Sequence, residues 1–132
     1  MQMILDSLPK VFAVLGSLVG FLLGGFDGYL YTLVGFILID YLTGLSLAVA
    51  RRQLSSEIGF VGIMKKMLIL VMVAMGHLLD ENLLGGGATM RTAVIFFYAA
   101  NEGISITENL GCLGFPMPAK LKQVLAQLKE DE

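Results

Sequence analysis

The sequence predicts an all-α integral membrane protein with about four transmembrane helices, three being the alternative, and a short C-terminal amphipathic helix. Three observations predict it. Of the 132 residues, 56% are hydrophobic and only 15% charged, and the mean hydropathy is +0.79. That leaves too little polar surface for a water-soluble domain of this length. The apolar residues gather into four stretches, near 11–26, 29–50, 67–84 and 93–110, each a candidate for burial in lipid. Eight of the nine Lys and Arg residues fall at joints that four crossings place on one side, with Arg91 alone on the other. The positive-inside rule makes that side cytoplasmic, so both termini are expected there. Residues 1–114 then form a transmembrane helical domain and residues 115–132 a cytoplasmic amphipathic tail.

The first stretch, Val11–Phe26, would make a helix of about 24 Å, short for a hydrocarbon core of about 30 Å. Partial insertion of this segment gives the three-span alternative, with the N-terminus outside. Lys10 before Val11–Leu23 resembles the start of a secretory signal, but Gly24-Gly25-Phe26-Asp27 is a poor cleavage site, so a retained helix is expected. Gly16, Gly20 and Gly24 recur at a spacing of four, which puts them on one face where another backbone can approach closely. The partner is either another part of the chain or a second copy.

The second stretch, Tyr29–Ala50, is long enough to span, with Tyr29 and Tyr31 as interface anchors. Asp40 sits near its middle, with Thr43 on the same face and Gly44 leaving room for a neighbour. An acid at that depth is either hydrogen-bonded inside the bundle or takes a direct part in assembly or permeation. Arg51 and Arg52 close the stretch. Ser55-Ser56-Glu57 then reads as a helix start, Ile58 to Met64 as a surface segment, and Lys65-Lys66 as the point where the chain enters lipid again.

In the third stretch, Met67–Leu84, the residues His77, Asp80 and Glu81 share one face. One His without a second His or Cys is a poor zinc signal, and a hydrogen-bonded cluster at the membrane interface is expected instead. Gly85-Gly86-Gly87 stops the helix. In the fourth stretch, from about Ala93 to Leu110, Tyr98, Asn101, Glu102, Ser105, Glu108 and Asn109 follow steps of three and four. They form a polar stripe that must meet other polar groups or line water. Pro116 and Pro118 break the chain. In the tail, Leu121, Val124, Leu125 and Leu128 share a face with Lys120, Lys122 and Lys129 around them, the pattern of a helix lying on the membrane surface. The single Cys112 excludes an internal disulfide. A net charge of -2 without a dense basic run argues against nucleic acid as a partner. No cofactor or metal is expected.

The order of several short motifs resembles a known family. Asp40-Tyr41-Leu42-Thr43-Gly44 is followed by Ser55-Ser56-Glu57-Ile58-Gly59-Phe60, Gly62 and Lys65-Lys66. Then come His77-Leu78-Leu79-Asp80, Arg91-Thr92-Ala93-Val94, Asn101-Glu102-Gly103-Ile104-Ser105 with Glu108-Asn109, and Pro116-Met117-Pro118 before Lys120-Leu121. Over roughly Phe36 to Lys129 this is similar to phage holins, including the clostridial toxin-secretion holins. The resemblance implies a non-enzymatic protein that forms homo-oligomers in the bacterial cytoplasmic membrane and permeabilises it, so that a cell-wall hydrolase or a toxin can leave. On that reading Gly16, Gly20, Gly24, Asp40, Thr43, Gly44, His77, Asp80, Tyr98, Asn101, Glu102, Ser105 and Glu108 are candidates for oligomerisation or permeation. Asp40, His77, Asp80 and Glu102 are expected to satisfy one another, or trapped water, in the resting bundle. Two other classes compete: a small ion channel or transporter subunit, and a small membrane lipid kinase, the latter lacking an evident phosphate-binding constellation.

Overall fold

The computed structural model describes residues 1–130 and contains five helices with no strand among them: α1 (Gln2–Leu23), α2 (Gly28–Ala50), α3 (Ser56–Asn82), α4 (Thr89–Cys112) and α5 (Ala119–Glu130). Three of them, α1, α2 and α3, are long and apolar enough to cross a membrane. The fourth long helix, α4, is more polar because it sits inside the bundle. It packs between α2 and α3 and carries α5 on a further face, whereas α1 lies along α3 and reaches the core at its end through Leu23. An all-round apolar surface is needed only where a helix meets lipid.

Local chemistry sets the helix ends. Gly24 stops α1 in the left-handed region (φ 86°), where glycine has no Cβ penalty. The Asp27 carboxylate then accepts the Leu30 N–H and caps α2, and the Ser55 hydroxyl accepts the Ile58 N–H and caps α3. Two boundaries differ from expectation. Helix α1 starts at Gln2, so it is 22 residues long and carries Pro9 inside it. The stretch from Ile58 to Met64 is no separate surface segment. It belongs to one continuous α3 of 27 residues, about 40 Å, because the Ser55 cap starts a helix that Gly59 and Gly62 fail to interrupt. Lys66 is consequently mid-helix rather than at a joint.

The apolar core lies towards the end where α3 turns into α4: Leu30, Leu33 and Ile37 of α2 meet Ile69 and Val73 of α3 and Ile95 and Ala99 of α4. There α3 and α4 nearly touch, since a Cβ on Gly76 would lie 3.2 Å from the Arg91 backbone. Lipid offers no hydrophobic drive for helices to associate, so such close packing and polar bonds must hold the bundle. Helix α5 packs on the bundle rather than standing free of it. It folds back along α4, and its Leu125 is buried against Gly103 and Phe36.

Candidate functional site

Two buried charge centres lie on either side of the apolar core. The first is built on Lys66. Asp40 from α2 and Glu102 from α4 are each only 6% exposed, and the Lys66 ammonium of α3 donates to Asp40 Oδ2 and to both Glu102 oxygens, the latter at 2.6 and 2.8 Å. Asn109 Nδ2 extends the network, donating to Asp40 Oδ1 at 3.1 Å and to Thr43 Oγ1 at 3.0 Å. The helical spacing explains the convergence: Asp40 and Thr43 share a face of α2, and Glu102, Ser105 and Asn109 share a face of α4. A cavity of about 250 Å³ adjoins the centre on the side of the α2–α3 turn, lined by Asp40, Tyr41, Gly44, Lys66, Ser105 and Asn109 among others. Lys66 neutralises one of its two carboxylates. The centre therefore holds one negative charge in excess when both are ionised, near the middle of three helices.

The second centre is built on Arg91, 3% exposed at the start of α4. Its side chain donates to the Leu23 carbonyl (2.5 Å), the Gly25 carbonyl (2.9 Å) and the Asp27 carboxylate (2.7 Å). The guanidinium thereby ties the α1–α2 turn to α4, and its hydrogen bonds hold the Asp27 carboxyl below its ordinary value of 3.8. Helix α4 has no side-chain cap of its own. Asp80 of α3 supplies one, accepting the backbone N–H groups of Met90 and Arg91 at 2.9 Å each. A carboxylate at a helix N-terminus is doubly suited to this, by hydrogen bonding and by the helix dipole. Among the described residues, no buried side-chain nitrogen or oxygen lacks a hydrogen-bond partner.

The residues singled out from the sequence thus divide. Asp40, Thr43, Gly44, Glu102, Ser105 and Asn109 come together around Lys66. His77 and Asp80 belong to the other centre, where a Cβ on Gly24 would meet both the His77 ring and the Arg91 side chain at 2.7 Å. Asp40, His77, Asp80 and Glu102 therefore do not satisfy one another, because the apolar core separates the two groups. Glu81 and Glu108 are exposed and Asn101 is half-buried. Tyr98 stacks edge-on against Phe97 and packs on the core. The three glycines of α1 do not form one open groove. Gly20 lies under the Phe26 ring, Gly24 ends the helix against Arg91 and His77, and only Gly16 has open space around it.

The model of the bacteriophage holin family matches residues 17–130. The chain belongs to the bacteriophage holin family. It is 44% identical over 128 residues, 97% of each chain, to an uncharacterized 14.9 kDa protein in the nagH 3′ region of Clostridium perfringens. It is 45% identical over 121 residues to a Listeria monocytogenes protein, covering 89% of this chain and 86% of the relative. A probable holin of Bacillus phage phi105 is 32% identical over 103 residues, covering 78% and 76%. No solved structure matches.

In this holin-family chain the two cations were the residues that sequence reasoning missed. Lys66 and Arg91 looked like interfacial charges beside apolar runs. The signal for Lys66 was present nonetheless: two acids near the middle of apolar stretches require a counter-charge, and an uninterrupted helix from the Ser55 cap carries Lys66 to their depth. Asp27 had a weaker signal, a cap position whose second oxygen is left free for Arg91.

Proposed function

We propose that this chain acts as a holin: it accumulates in the bacterial cytoplasmic membrane, assembles into homo-oligomers and permeabilises the membrane, so that a cell-wall hydrolase or a toxin passes. It does so without catalysis. The observation that carries the reading is the Lys66 centre. A membrane-family bundle places a lysine and two carboxylates near the middle of its helices, satisfies them within one chain, and sets beside them a cavity that Asp40, Lys66, Ser105 and Asn109 help to line. Buried charges at that depth mark pathways and assembly contacts far more often than structural filler. A chain whose polar groups are internally paired can accumulate quietly. Each interhelical polar bond contributes only about 0.6–2 kcal/mol in lipid, so the pairing can be exchanged for contacts with water and other copies at high density.

The orientation follows from the exposed cations. Arg51 and Arg52 lie exposed in the turn after α2, and they mark that end as cytoplasmic, with the N-terminus and the end of α4 on the same side. Helix α4 then crosses with the other three.

Inducing the chain alone in a bacterial host tests the reading. The expected result is an abrupt loss of respiration and of colony survival at a reproducible time, together with release of a folded cytoplasmic reporter enzyme. Cells that stay intact at high abundance would overturn it. Stable, ion-selective currents without lysis would overturn it too, in favour of a channel.

A further inference from the structure

We propose that helix α5, still folded on α4, forms the water-facing wall of the assembled lesion, presenting Gln123 and Gln127 to the lumen. The proposal rests on the holin reading above and assigns the lumen to an element other than the polar stripe of α4.

The register of the helices fixes the depth of α5. Helices α2 and α4 run in the same direction, joined by Asp27 and Arg91 at one end and by Asp40, Thr43 and Asn109 further along. Beyond Thr43, α2 continues for seven residues to Ala50, about 10 Å, whereas α4 continues only three beyond Asn109 to Cys112, about 5 Å. Helix α4 therefore stops inside the depth that the apolar α2 occupies, and the turn to α5 begins there. The chain then folds back towards the bundle middle. Leu125, 4% exposed, fills the space that a Cβ on Gly103 would need, with its Cδ2 2.5 Å from that position, and the Phe36 ring lies 3.2 Å from the same point. Phe36 is near the centre of α2. The midpoint of α5 thus lies level with the middle of a helix apolar enough to span.

Helix α5 is not dressed for lipid. Gln123 and Gln127 stand opposite Leu125 on a helix of 3.6 residues per turn, and both are exposed, as are Lys120, Lys122 and Lys129. Lysines near the helix ends can reach towards an interface with their long stems. Two glutamines near its middle cannot. Non-helical backbone such as the α4–α5 turn is also tolerated at membrane depth only where protein or water satisfies it. On α4, Glu102 and Asn109 have no such need, since they are bonded to Lys66, Asp40 and Thr43. At the margin of the hairpin, Glu108 of α4 and Lys122 of α5 line one shallow cavity, so both helices carry a charged side chain there. The remaining faces suit lipid: Leu38 and Leu42 on α2 and Leu68 and Val71 on α3 are exposed. Copies gathered with α5 inward and those faces outward give every group a matching solvent.

The test uses the full chain with Cys112→Ser in phosphatidylethanolamine–phosphatidylglycerol vesicles loaded with a dye. A single nitroxide label is placed on cysteine at position 123 or 127, and at Leu38 or Leu68 as lipid-facing controls near the same depth. In leaking vesicles, labels at 123 and 127 should collide severalfold more with a water-soluble nickel chelate than the controls do, and the controls more with oxygen. A second variant, Gly103→Cys with Leu125→Cys, joins α5 to α4 by a disulfide, and leakage should persist when it is oxidised. Leakage with oxygen-favoured labels at 123 and 127 overturns the proposal. So does leakage abolished by the disulfide and restored by reduction, which would mean that α5 leaves α4 for the membrane surface. An unlabelled Cys112→Ser chain that causes no leakage overturns the holin reading itself, and the proposal falls with it.

Discussion

The Lys66 and Arg91 centres have the same formal composition, one cation and two carboxylates, in opposite surroundings. At Arg91 the second acid is not in excess. Asp80 is neutralised by the N-terminus of α4, and Asp27 is partly solvated, with its side chain 44% exposed. Arg91 also bonds two backbone carbonyls that would otherwise be left over at the end of α1. At Lys66 both acids are nearly fully buried and share one ammonium, with only the Asn109 amide to help. One centre is a lock at the helix ends. The other is an unequal set of charges in the middle of the bundle, two carboxylates on one ammonium.

The largest effect should come from Lys66→Met, which leaves two buried carboxylates without a counter-charge. Removing one partner of a buried ion pair typically destabilises by about 3–5 kcal/mol, measurable as loss of the folded fraction in a detergent unfolding titration. A sharper variant replaces the whole centre by apolar residues of similar volume: Lys66→Met with Asp40→Leu and Glu102→Met. Replacing all members of a buried ion cluster is often neutral or stabilising, so folding should return while lysis in the induced host is lost. If the triple variant folds and still lyses on time, the charges serve the fold alone. Arg91→Met should cost less, about 1–3 kcal/mol for unsatisfied acceptors, since Asp80 keeps its two N–H donors and Asp27 can turn to water. A greater loss from Arg91→Met than from Lys66→Met would reverse the ranking of the two centres.

The same contrast explains what was legible in the sequence. Helix type, the Ser55 cap and the shared face of Asp40 and Thr43 are local properties, set by spacing and by backbone chemistry within a few residues. The clustering of α4 polar groups was visible for the same reason. Pairing was not, because it depends on how helices register against one another. His77 and Asp80 sit on one helix face and go to the Arg91 centre only because α4 begins beside Gly76. Lys65-Lys66 looked like a membrane boundary because charge density normally marks one. The fold-back of α5 was hidden for a similar reason, since an amphipathic pattern does not say which apolar surface it will meet.

A smaller effect is expected from Glu102→Gln. This substitution keeps the shape of the side chain and removes the excess negative charge, leaving Lys66 and Asp40 as a balanced pair. The resting bundle should tighten, so lysis in the induced host should be delayed and the folded fraction in detergent should rise slightly. Unchanged timing together with unchanged oligomerisation would remove this acid from the mechanism.

The smallest effect belongs to the Arg91 centre and is read against pH. The Arg91 hydrogen bonds hold the folded-state Asp27 carboxyl below 3.8, outweighing the opposing effect of burial. A carboxyl that binds its proton more weakly in the folded chain than in the unfolded one stabilises the fold above its unfolded value. That contribution is lost as the pH falls through the folded value. Because Asp27 is partly exposed, solvent screening limits it to about 0.2–1 kcal/mol, the range of surface ion pairs. Asp27→Asn should therefore lower stability slightly at pH 7, and the difference from the natural chain should shrink on acidification below about pH 4. The amide oxygen still accepts the Leu30 N–H, so the cap on α2 survives, while the amide nitrogen that replaces Oδ2 cannot accept from Arg91 Nη1 and that bond is lost with the charge. A difference that persists undiminished at pH 3 would mean that Asp27 holds Arg91 by geometry rather than by charge, and the lock at the helix ends would then be independent of ionisation.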